Sequence, residues 1–93
     1  MTADAGRLAR VLAEMVTDAS DGEVTAEQVL AADCTLPALG VTSLAQIRLI
    51  DAIERYFGID IEPDSDVFYL GGIRVLAGYL ADRGARPPLT GGR

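Results

Sequence analysis

The chain has no histidine, no lysine, no tryptophan and a single cysteine, Cys34, in its 93 residues. Each gap removes a class of chemistry. Without histidine the commonest general base and metal ligand are missing. One cysteine cannot close an internal disulfide, and with no histidine beside it cannot assemble a zinc site. A reducing, cytoplasmic compartment is the expectation. Three tyrosines and two phenylalanines are too few to fill a core, so Leu, Ile, Val and Ala must do it. All eight basic residues are arginines, set against fourteen acids, for a net charge of −6. Nucleic acid and anionic membrane surfaces both require clustered positive charge, so neither is an expected partner. No apolar run reaches the roughly 20 residues of a membrane span. The N-terminal MTADAGR lacks the cationic start and apolar run of a signal peptide.

What is present is enough aliphatic sequence for one small domain, since 49% of the residues are hydrophobic. Leu8, Val11, Leu12, Met15 and Val16 recur at helical spacing. They predict a first helix from residue 2 or 4 to residue 18, ended by Ser20, Asp21 and Gly22. About twenty residues then lead to Val41. Within them, Thr25-Ala-Glu-Gln28 has the form of a capping box and Val29 and Leu30 follow, which predicts one short helical turn. Leu36 and Leu39 are expected to anchor the rest of this long loop, and long loops in compact domains are often functional.

A second long helix is predicted over residues 43–57, stopped by Gly58. Leu49, Ile53, Tyr56 and Phe57 form its apolar stripe, and Leu44, Ile47 and Ile50 widen it beyond what one buried face needs. Either this helix is central, or part of its apolar surface waits for a partner. Ile59 and Ile61 read as loop anchors, because no second strand is evident to pair with them. A short helix capped by Asp64 or Ser65 is expected through Val67, Phe68 and Leu70, and a last helix over 73–83 with Ile73, Leu76, Ala77 and Leu80 inward. The fold class is all-α: a small four-helix bundle with one short helix and a long loop after the first helix. Residues 1–83 are the domain, and the Pro/Gly-rich 84–93 is expected to be a disordered tail.

The chemistry concentrates at Leu39-Gly-Val-Thr-Ser-Leu44. Ser43-Leu-Ala-Gln46 fits a capping box, which would make Ser43 a structural N-cap. The other reading makes Thr42 the N-cap. Ser43 is then the first helical residue, with a free hydroxyl at the positive end of a helix, a position that favours a phosphate. Gly40 allows a tight approach to that corner.

This hexapeptide resembles the attachment motif of acyl and peptidyl carrier proteins, usually written L-G-x-D-S-L. The resemblance continues in AQIRLIDAIERYFGIDI, similar to the family's second helix and its exit. It extends to FYLGGIRVLAGYL, similar to its third and fourth helices, and covers about residues 7–83. It implies a bundle of the acyl-carrier type. It also implies a 4′-phosphopantetheine arm joined to Ser43 by a phosphopantetheinyl transferase with magnesium, with cargo held on the arm's thiol as a thioester. Gly40, Thr42 and Leu44 support the motif. Leu44, Ile47 and Arg48 lie where partners dock, on a helix the family presents to loading, synthase and tailoring enzymes. The other reading places Leu44 and Ile47 in the core, and Arg48 on a solvated helix face. The protein implied is a carrier and not an enzyme; the short chain is expected to be freestanding and monomeric.

Two features distinguish this chain within the resemblance. The family's Asp before the serine is Thr42 here, which keeps the cap but loses a negative charge. The charge of residues 43–57 also balances, with Arg48 and Arg55 against Asp51 and Glu54. The acidity sits instead in residues 1–33, with seven acids against two arginines, and in 58–70, with four acids and no arginine. This pattern and the SLAQIRLI wording resemble carriers of polyketide or nonribosomal peptide assembly more than those of housekeeping lipid synthesis. The arginine-only, alanine-rich composition fits a high-GC bacterium. The alternative is a carrier-like interaction module that is never modified, which Thr42 favours. Cys34 reads as a partly buried loop residue, and Glu62, Asp64 and Asp66 as solvated loop acids rather than a calcium loop.

Overall fold

The computed structural model describes residues 3–32, 34–61 and 72–86, with the side chains of 3–5 left aside. Among these residues it is all-helical. Four α-helices follow one another: α1 (Ala3–Ala19), α2 (Ala26–Ala31), α3 (Ser43–Phe57) and α4 (Ile73–Asp82), with a 3-10 turn at Pro37–Leu39 before α3. The helix expected over 43–57 is α3, with the same bounds. The short helix expected between residues 64 and 70 lies outside the described residues.

α1 is the hub, and α2, α3 and α4 each pack against it. The reason lies in its sequence: Leu8, Ala9, Leu12, Ala13, Val16 and Ala19 are all buried. Small alanines alternate with larger aliphatics, so neighbouring helices approach closely from more than one side. Leu49 and Ile53 of α3 and Ile73, Leu76, Ala77 and Leu80 of α4 complete the centre. α3 is therefore not the central helix.

The long loop after α1 is organised by local hydrogen bonds. The Gly22 N–H donates to the Thr17 carbonyl at 2.8 Å, and the Val24 N–H to Ser20 Oγ at 3.1 Å. Asp21 takes a positive φ of 57° in this turn. The capping box at Thr25 forms as expected: Gln28 N–H donates to Thr25 Oγ1 at 3.1 Å, and Thr25 N–H to Gln28 Oε1 at 2.8 Å. It starts α2, whose Val29 is buried. Leu36 is fully buried and Leu39 packs partly against the core, the anchoring role read for both. Ile61 is buried and Ile59 half-buried, and both are loop residues.

Three expectations change. Tyr56 is 55% exposed and leaves the apolar stripe of α3. It stacks edge-on against Phe57, with ring centroids 4.8 Å apart. Cys34 is exposed rather than partly buried. What packs at that position is its backbone, because a Cβ built on Gly72 would lie 2.9 Å from the Cys34 carbonyl oxygen. Gly84 and Ala85, assigned to the tail, close α4 instead. Gly84 has φ +93°, Ala85 N–H donates to the Leu80 carbonyl at 3.0 Å, and Ala85 is buried. Residues 87–93 of the expected tail lie outside the described residues.

The Gly72 contact gives a prediction. Backbone atoms cannot swing away as a side chain can, so Gly72→Ala is expected to destabilise the fold by about 1–3 kcal/mol. Urea unfolding of the two proteins measures this, and equal midpoints would remove the contact from the account.

Candidate functional site

The site is the corner where the long loop enters α3. Gly40, at φ +99°, ends the 3-10 turn, and its N–H donates to the Pro37 carbonyl at 3.0 Å. A side chain rarely adopts this backbone conformation. Val41 then turns inward and is buried, its N–H donating to the Leu36 carbonyl at 3.2 Å. Thr42 follows in extended conformation as the N-cap of α3, and its Oγ1 accepts from the Ala45 N–H at 3.1 Å.

Ser43 is thus the first residue of α3 and is exposed. Thr42 has taken the capping task, so the Ser43-x-x-Gln46 box does not form. Among the described residues nothing hydrogen-bonds Ser43 Oγ. The Ser43 and Leu44 N–H groups are first-turn donors that the helix itself cannot satisfy. A primary hydroxyl, free donors and the positive end of a 15-residue helix come together here. Chemically the corner is an alcohol that can be esterified, in an environment that stabilises the negative charge of a phosphodiester.

Gln46 was not singled out as a site residue from the sequence. It is buried, and its Nε2 donates to the Val41 carbonyl at 3.1 Å. It braces the corner from below while Thr42 braces it from above. A polar residue on the inward face of an amphipathic helix was the available signal. Glu54 is a second such residue. Its carbonyl accepts from Gly58 N–H at 2.9 Å, and its carboxylate from Ile61 N–H at 3.0 Å, which fixes the exit of α3.

The outer face of α3 continues from Ser43. Leu44 and Ile47 are 57% and 63% exposed. Of the two readings held open for them, core and surface, the structure selects surface. Arg48 is exposed and its Nη1 lies 3.2 Å from Asp21 Oδ2 of the turn after α1. Arg55 Nε lies 3.2 Å from Asp51 Oδ2 one turn away. Gly40, Thr42, Ser43, Leu44, Ile47 and Arg48 therefore share one end and one face of α3 and its approach. Cys34 is not part of this corner's hydrogen bonding. Among the described residues, no group of three or more His, Cys, Asp or Glu is placed to hold a metal ion.

A family model described as "Phosphopantetheine attachment site" matches residues 10–80, which include this corner and most of the chain. The chain belongs to this family. It is a carrier protein bearing a phosphopantetheine arm, and the family's cofactor is covalently attached 4′-phosphopantetheine. Carriers of this family are generally non-catalytic and work through modifying and synthase enzymes. No curated protein and no solved structure matches this carrier in the corresponding searches. Among its described residues no helix is long and apolar enough to cross a membrane.

Proposed function

We propose that Ser43 is the residue of this carrier that bears the arm, joined through Oγ as a phosphodiester. A phosphopantetheinyl transferase would supply the group from coenzyme A with magnesium. The thiol of the arm then holds acyl or aminoacyl groups as thioesters and presents them to loading, synthase and tailoring enzymes. We place this work in bacterial secondary metabolism of the polyketide or nonribosomal peptide type, with the protein acting as a cytoplasmic monomer. The balanced charge of α3 and its SLAQIRLI sequence support that assignment.

The observation that carries the reading is the division of labour between adjacent residues. Thr42 caps the helix, so the Ser43 hydroxyl is exposed, without a hydrogen bond among the described residues, and at the first position of α3. The test is intact mass after incubation with coenzyme A, magnesium and a broad-specificity transferase. A gain of one phosphopantetheine on Ser43 is expected, and a gain mapped to any other residue would overturn the assignment.

Thr42 also makes a prediction about rate. Asp at this position keeps the cap and adds the negative charge that the family's motif carries beside its serine. Thr42→Asp is expected to load severalfold faster with the broad-specificity transferase. It should also be slightly more stable, by about 0.3–1 kcal/mol, through the helix dipole. Equal loading rates would show that this carboxylate is dispensable here.

A further inference from the structure

Gln46 is a buried polar side chain on a helix face whose other buried residues, Ala45, Leu49 and Ile53, are apolar. A buried amide is costly unless its hydrogen bonds are met, and the bond it makes here accounts for its place. The hydrogen-bond ladder of α3 begins at the Thr42 carbonyl, which accepts from the Gln46 N–H at 2.9 Å. The Val41 carbonyl stands one residue earlier, outside that ladder, and accepts from Gln46 Nε2 at 3.1 Å. One residue thus holds the two successive carbonyls that precede Ser43. We infer that Gln46 is a positioning residue for transfer of the arm to Ser43. It fixes the Val41–Thr42 peptide plane, and through it the direction in which the Ser43 hydroxyl leaves the helix.

The transfer makes that direction matter. Ser43 Oγ forms a bond to the phosphorus of coenzyme A that carries the pantetheine, as the pyrophosphate bridge breaks on the opposite side. Adenosine bisphosphate leaves, and the hydroxyl proton passes to a base of the transferase. Such a displacement tolerates little misplacement of the nucleophile. Thr42 secures the downstream side of the corner, where its Oγ1 accepts from the Ala45 N–H at 3.1 Å. The upstream side arrives through Gly40, at φ +99°, which has no side chain to limit its rotation. Gln46 closes that side. Being buried, it offers the transferase no contact surface, so its effect falls on alignment of the bound serine and not on docking. The inference rests on the reading of Ser43 and adds the residue that orients it.

The experiment uses the whole chain, coenzyme A, magnesium and a broad-specificity phosphopantetheinyl transferase, and separates kcat from KM. Gln46→Met keeps the length of the side chain and removes the donor. It is expected to lower kcat about tenfold and to leave KM within about twofold, because the exposed surface is unchanged. Gln46→Leu should repeat the fall in kcat. Val29→Ala is the control: it truncates a buried residue of α2, outside the corner, and so lowers stability while kcat stays parental. Far-UV circular dichroism at the assay temperature checks that each variant is folded. The bond can also be read in the parent. Gln28 and Gln46 are the chain's two glutamines, and it has no asparagine, so NMR shows two side-chain amides. That of buried Gln46 is expected to exchange with solvent at least about tenfold more slowly than that of exposed Gln28. Equal exchange of the two amides, parental kcat in both Gln46 variants, or an equal loss of kcat in Val29→Ala overturns this inference while Ser43 keeps its assignment. Absence of any loading on Ser43 in the parent overturns the assignment and the inference together.

Discussion

Ser43→Ala is expected to gain no phosphopantetheine and to unfold at the temperature of the parent. The two halves of this result come from the same geometry. Ser43 is exposed, and among the described residues its hydroxyl makes no hydrogen bond, so removing it leaves no buried group unpaired. Surface changes of this kind fall within about 0.5 kcal/mol. Thr42→Ala should behave in the opposite way. It deletes the oxygen that accepts from Ala45 N–H, and loss of an N-cap costs about 1 kcal/mol. For a domain of this size that lowers the melting temperature by about 4–8 °C, while Ser43 still takes up the arm. Mass spectrometry and thermal unfolding on the two variants give the crossed result. If Ser43 were the cap, the stability loss would move to Ser43→Ala, and the account of the corner would fail.

The largest effect on stability is expected from Leu12→Ala. Leu12 lies mid-way along α1, the helix against which the three others pack, and is fully buried in the core cluster. Truncation removes the transfer free energy of the lost carbons and leaves a cavity that three neighbouring helices cannot all close. Such changes cost about 2–5 kcal/mol, a large part of the 5–15 kcal/mol that typically holds a domain together. The melting temperature should fall by about 8 °C or more, given about 4–8 °C per kcal/mol. Calorimetry of the variant is the check. A loss below about 1 kcal/mol would mean that the helices close around the gap and that α1 is not the hub.

The periodic parts of this fold were legible in the sequence because their causes are local. The Leu8, Leu12 and Val16 stripe marks α1, Thr25 to Gln28 marks the start of α2, and Gly58 marks the end of α3 in the left-handed conformation. The site was half legible. Thr42 and Ser43 are both good N-caps by residue type, so local propensity cannot choose between them. The choice follows from placement: Val41 is buried, with the Gln46 side chain bonded to its carbonyl, and that sets Thr42 at the cap. Other features depend on partners far along the chain. Arg48 meets Asp21 across 27 positions, and Arg74 donates to the Leu30 carbonyl across 44. Cys34 is exposed, and its backbone carbonyl lies where a Cβ on Gly72, 38 positions along the chain, would stand only 2.9 Å away. No pattern within one helix or loop encodes such pairings.

The double bracing of the corner by Thr42 and Gln46 has a mechanical consequence. A tethered group searches a volume set by its own rotatable bonds plus any play in its root. With the arm on Ser43 as proposed, the root would be the first turn of a 15-residue helix, held from both sides, so the play would be small. The freedom to be lost when cargo enters an active site then resides in the tether, and little of it in the protein. A partner that grips the outer face of α3 fixes the starting point of the tether at once. The cargo arrives as if confined in a small sphere about that point, at a high effective concentration set by tether length alone.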